Sequence, residues 1–188
     1  MTSVNGAARP GLLPTWGRVR RLTGDYQEAA GEQEEALGIY RDIGDRRGQA
    51  NALANLGEVR RLTGDYPGAA RDLQEALGLY RDIGDRGGET LALNQAGMLH
   101  RVCGDLRQAR SCHQQALDLA RQIGTAWDEA HALAGLGRCA LAAGHTATAE
   151  DMLRQALEIF QRIGAAEDAE VSAELQALTE VRPAPHGS

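Results

Sequence analysis

The chain contains no lysine, and all 20 of its basic residues are arginine. That removes the phosphate-holding lysine of nucleotide-binding loops, Schiff-base lysines and every lysine-tethered cofactor. Aromatic residues are only 4% of the chain, so a core must be built from Leu, Ala, Ile and Val. Cysteine is scarce. Cys103, Cys112 and Cys139 are an odd number with no C-x2-C pair, which excludes a disulfide framework and fits a reducing, cytoplasmic setting. No apolar run approaches the ~18 residues that span a bilayer, and residues 1–14 lack the apolar stretch of a secretory leader. An excess of positive charge is also missing. The net charge is −6, which argues against a nucleic-acid or anionic-membrane binder.

What is present is glycine, 23 of 188 residues, against a usual share of about 7%. It recurs at a fixed interval. Gly17, Gly57, Gly97 and Gly137 stand 40 residues apart, as do Gly24, Gly64, Gly104 and Gly144. Ala29, Ala69, Ala109 and Ala149 form a matching column, and Leu37, Leu77, Leu117 and Leu157 another. Residues 16–49 match residues 56–89 at 23 of 34 positions. Self-similarity of this kind marks a repeat array.

Within one unit the apolar spacing is helical twice: Leu53, Leu56 and Val59, then Ala69, Leu73, Ala76, Leu77 and Tyr80. Gly64 suits the left-handed position that ends a helix, and Asp65 suits the cap that starts the next. Each unit is therefore a helix–turn–helix, and because neither helix can bury its stripe alone, the units must stack. The expected fold is an all-α, right-handed superhelical solenoid. Its expected units are 12–49 (partial), 50–89, 90–129 and 130–169, with a closing helix within 166–181 and frayed tails at 1–11 and 182–188.

These residues resemble the tetratricopeptide repeat family. The family phrase W-x2-L-G-x2-Y, then A-x3-F and A, reads here as Leu53-x2-Leu56-Gly57-x2-Arg60, then Ala69-x3-Leu73 and Ala76. Aromatic residues are missing from the first helix, and the repeat is 40 residues long instead of 34. This longer form is similar to the repeat arrays of bacterial, especially actinobacterial, multidomain regulators that carry a nucleotide-binding switch domain.

Several motifs invite a chemical reading. Gly135-Leu136-Gly137 followed by Ala140 matches a relaxed dinucleotide fingerprint, but its register places it inside a helix with no strand before it, so no cofactor is expected. His100, Cys103, Cys112 and His113 cluster without the tight ligand pairs of a metal site. His113 takes the core column of Leu73 and reads as a half-buried structural histidine. No nucleophile–base constellation can be assembled, and no enzymatic activity is expected. Glu28, Glu32, Glu35, Asp72 and Glu75 read as solvated surface. Tyr26, Tyr40, Tyr66 and Tyr80 read as packing residues whose hydroxyls reach water.

One stripe stands out on the first helix of each unit. It carries Arg18 and Arg21 in the partial unit; Asn51, Asn55, Glu58 and Arg61 in the next; Asn94, Gln95, Met98 and Arg101 in the third; and His131 and Arg138 in the fourth. Five arginines against one glutamate line it in an acidic chain. The resemblance implies that this face lines a concave groove. The expected function is a protein-interaction module that holds a peptide segment, one bearing acidic side chains or a free C-terminal carboxylate. Its setting would be a bacterial regulatory system. A ligand- or peptide-responsive switch and a self-association arm are the alternatives. Trp16, Leu12 and Leu13 suggest a homodimer through the N-terminal end. Chaperone-type carboxylate clamps share the fold but need Lys and Asn at set positions, where Ala54 and Arg18 stand instead.

Overall fold

A computed structural model describes residues 26–180. The described residues form eight helices and no strand: α1 (Tyr26–Asp42), α2 (Arg46–Thr63), α3 (Tyr66–Ile83), α4 (Arg86–Val102), α5 (Leu106–Ile123), α6 (Ala126–Ala142), α7 (Thr146–Ile163) and α8 (Asp168–Glu180). Two helices per 40-residue repeat is the expected pattern. The expected cuts at 49/50 and 89/90 fall inside α2 and α4. Trp16, Arg18 and Arg21, and with them the expected N-terminal dimer surface, lie outside the described residues. The chain divides into two compact units, Met1–Gly88 and Glu89–Ser188.

Punctuation between helices is set by the Gly-Asp phrase. Gly64 has φ +86° and closes α2 with its N–H donating to the Arg61 carbonyl, a conformation that costs glycine nothing. Asp65 then caps α3, its Oδ1 accepting from the Gly68 N–H at 3.0 Å. Asp45, Asp85 and Asp105 do the same for α2, α4 and α5. Thr125 and His145 break the column, and neither side chain makes the capping bond.

In the first unit α1 packs on α2 and α2 on α3. The buried core is small: Ala29, Ala50, Ala69 and Ala76 are fully buried among leucines. Close approach depends on glycine. A Cβ at Gly57 would lie 2.7 Å from Leu73 Cγ, and one at Gly48 would lie 2.3 Å from the Tyr40 ring. Tyr80 stands in the same relation to Gly88. Forty residues on, Ala120 and Asp128 replace that tyrosine–glycine pair together.

In the second unit α5 packs on α6, α6 on α7 and α7 on α8. A Cβ at Gly137 would lie 2.9 Å from Leu153 Cγ, as one at Gly57 would lie against Leu73, so the fingerprint-like glycines are packing residues of α6. Because Ala69 is fully buried with its carbonyl 3.4 Å from the Gly57 Cβ position, Ala69→Leu is expected to overpack the α2–α3 pair. The cost should be about 1–3 kcal/mol, read as a lower denaturation midpoint in urea. An unchanged midpoint would contradict this packing.

Candidate functional site

The stripe residues fall on α2, α4 and α6, and most of them are already engaged. Asn51 Oδ1 accepts the Tyr80 hydroxyl at 2.7 Å. This corrects the expectation that Tyr80 reaches water, since its side chain is fully buried and burial pushes its phenol well up. Asn55 Nδ2 donates to Gln33 Oε1 at 3.1 Å, joining α1 to α2. Glu58 and Arg61 pair with each other at 3.2 Å, with only 19% and 15% of their side chains exposed. Arg61, expected on the partner-binding stripe, thus has a carboxylate partner on its own helix.

The second unit uses its polar residues differently. Asn94 is buried, with Oδ1 3.1 Å from His113 Nδ1 and Nδ2 donating to the Asp128 carbonyl at 3.3 Å. His113 is buried completely, not by half. Its ring fills the space that Cβ atoms at Gly97 and Gly135 would need, at 2.6 and 2.3 Å. Burial, with lesser contributions from Arg101, Arg138 and His131, lowers its pKa to about 4, so the ring is neutral near pH 7.

Gln95 is buried and Met98 half-buried. The Oε1 of Gln95 and the Nε of Arg101 are buried with no hydrogen-bond partner among the described residues. Arg101 also lacks an ion-pair partner among them. His131 sits between Trp127, at 4.0 Å between ring centroids, and the edge of Phe160 at 5.1 Å. Its Nε2 is 3.8 Å from Glu167 Oε1.

Arg138 is the most heavily bound of the set. Its Nε and Nη2 donate to Glu174 at 3.0 and 2.7 Å, and Nη2 also reaches Glu170 at 2.9 Å. Both glutamates project from α8, four residues apart on one helical face. A bidentate guanidinium–carboxylate pair with a second carboxylate is among the stronger polar contacts a protein makes.

Two features escaped the reading of the sequence. Glu170 and Glu174 act on Arg138 at intervals of 32 and 36 residues, so a search along 40-residue columns passes over them. Asp72, expected on the surface, is buried and bonded by Arg60. The doublet Arg60-Arg61 was the available signal, because only one of two adjacent arginines can face the stripe. Among the described residues no group of three or more His, Cys, Asp or Glu side chains could hold a metal ion, and no helix is long and apolar enough to cross a membrane.

Among solved structures the chain is similar to BtubC (BKLC) from P. vanneervenii, at 20% identity and TM-score 0.67 over 95% of this chain and 68% of that one. It is similar to a Rap protein complexed with Competence and Sporulation Factor, at 17% identity and TM-score 0.83 over 94% of this chain and 50% of that one. A kinesin light chain-type protein of Podospora anserina, with nearly identical TPR-like repeats, superposes at TM-score 0.68 and 14% identity, covering 93% and 88% of the two chains. The chain thus spans half the length of the Rap protein. These likenesses establish an all-α repeat solenoid. No relative matches among curated proteins. Residues 12–82 and 89–162 match the tetratricopeptide repeat, and with the paired helices, glycine stops and small-residue columns described above, the chain belongs to the tetratricopeptide repeat family.

Proposed function

We propose that the chain is a non-enzymatic protein-interaction module that holds an acidic segment of a partner against the polar face of its first helices. Folds of this family mediate protein–protein interactions, and the Rap protein of similar fold is complexed with Competence and Sporulation Factor. The observation that carries the reading is the clasp on Arg138. There the stripe takes two carboxylates from one face of a helix, the chemistry expected of a bound acidic segment. On α4, Arg101 has no carboxylate, and the buried Nε of Arg101 and Oε1 of Gln95 have unused bonding capacity. A partner carboxylate would accept from the Arg101 Nε–H, through a charge-assisted bond worth about 1.5–3 kcal/mol, while an N–H of the same segment would be needed to donate to Gln95 Oε1. A place in a bacterial regulatory system belongs to the same reading.

The test is affinity capture from the source cell, followed by binding of the purified partner to the wild type and to Arg101→Glu. Affinity is expected to fall at least tenfold in the variant, the equivalent of about 1.4 kcal/mol. It should also fall for the wild type as salt rises. Thermal stability should be little changed, because Arg101 has no ion pair to lose. A partner that binds Arg101→Glu as tightly as the wild type would refute the assignment.

A further inference from the structure

We propose that the hollow between α5, α6 and α7 is a binding site for a small organic carboxylate with an apolar body. It is distinct from the polar face proposed above. The argument begins with the equivalent place in the first unit. There Arg60 of α2 fills the space, bonding Asp72 of α3, reaching Glu34 of α1 at 3.2 Å and lying 3.9 Å from the capping Asp65. Eighty residues on, every member of this network is changed. Arg60 corresponds to Ala140, Asp72 to Met152, Asp65 to His145 and Glu34 to Gln114. The guanidinium has gone, and so have all three carboxylates that held it.

Those losses leave a hollow of about 430 Å³, within the range of small-molecule sites. Its floor is apolar: Leu106, Leu136, Cys139, Ala140 and Met152. Burial pushes the Cys139 thiol up, so that it stays neutral there. The rim is basic. Arg107 and Arg110 line it from α5 and His145 from the start of α7, whereas the first unit has Gln27, Ala30 and Asp65 in those places. Neither arginine forms an ion pair with any described residue. Asp105 is used in capping α5, and Glu150 of α7 is paired with Arg154. A site that holds an internal cation in one unit has become, in the other, an apolar cavity edged along α5 by two arginines with no ion-pair partner among the described residues. Such a cavity favours an anion and disfavours a cation of the same shape.

The test follows the Met152 methyl group by NMR in protein labelled at methionine, with Met98 as the control methyl outside the hollow. Octanoate is expected to shift Met152 in a saturable way and leave Met98 unmoved. Octylamine, with the same chain and the opposite charge, should shift neither. Inorganic phosphate, with charge but no chain, should also shift neither at the same concentration. Arg107→Gln with Arg110→Ala, which installs the first unit's residues, should weaken octanoate at least tenfold. Ala140→Arg with His145→Asp should refill the hollow and abolish the shift. Because the comparison of octanoate with octylamine needs only the wild-type chain, a variant that folds poorly does not blunt the test. Equal shifts by the two probes, a response to phosphate alone, or no response of Met152 to octanoate would each overturn the proposal. None of these outcomes bears on the partner-binding face, which is read through Arg101.

Discussion

Replacing Arg60 by alanine is expected to destabilise the fold by about 2–3 kcal/mol. Asp72 is buried, with a tenth of its side chain exposed, and Arg60 is the cation bonded to it. Removing one member of a buried pair leaves a charge without compensation, which costs about 3–5 kcal/mol when both groups are fully enclosed. Arg60 keeps 27% of its side chain exposed, so the loss here is smaller. Burial raises the Asp72 carboxyl above its ordinary range even though Arg60 pulls the other way. Desolvation therefore outweighs the attraction at this carboxyl. Two results follow. The penalty in Arg60→Ala should shrink as pH falls, because the neutral carboxyl tolerates burial. The double change Arg60→Ala with Asp72→Met, which copies Ala140 and Met152 of the second unit, should recover most of the loss. Urea denaturation of the wild type, the single variant and the double variant would show this. A double variant no more stable than the single one would place the cost elsewhere.

The second large effect is on pH dependence, through His113. The buried ring has a pKa near 4, against about 6.5 in an unfolded chain. Between those values the unfolded state binds a proton that the folded state refuses, so folding stability must fall as pH falls. The contribution is fully present above about pH 6.5 and is lost progressively down to about pH 4. The total is about 3 kcal/mol, at roughly 1.4 kcal/mol for each pH unit of separation. His113→Gln is the informative variant. Glutamine occupies the same column at Gln33, can still bond Asn94 and does not titrate. Its melting temperature should decline less than that of the wild type between pH 7 and pH 4.5. Parallel declines would mean that the carboxylates, not this ring, set the acid sensitivity.

The architecture was legible in the sequence because it is written in residues whose role is local. A glycine that must adopt positive φ and an aspartate that must accept a capping bond act within their own turn, so Gly64-Asp65 can be read without knowing what packs nearby. The small-residue columns were legible for a similar reason: Gly57 and Ala69 recur wherever two helices of a pair touch. The polar contacts were not. Helices α6 and α8 meet four residues short of the repeat length, so Arg138 finds Glu174 and not the residue in its own column. Asn94 meets His113 across 19 residues and Gln33 meets Asn55 across 22, intervals that belong to packing and not to periodicity. The Arg61–Glu58 pair was hidden for the same reason. The column of Arg61 says nothing of Glu58, one helical turn away and within reach.

Near-identity between repeats also bears on how the chain finds its register while folding. A segment that matches another at 23 of 34 positions can dock in the wrong place with almost the same apolar contacts, a hazard common to repeat proteins. The core column that runs Gln33, Leu73, His113, Leu153 alternates polar with apolar. A slip of one repeat therefore lays a leucine where an amide or imidazole is required and strands a buried polar group, at a cost of about 1–3 kcal/mol for each group. A slip of two repeats exchanges Gln33 with His113 and passes this column, but it brings Ala140 and Met152 to the places of Arg60 and Asp72. The buried amides and imidazole thus penalise the 40-residue slip that near-identity most invites, and act as a parity check on assembly.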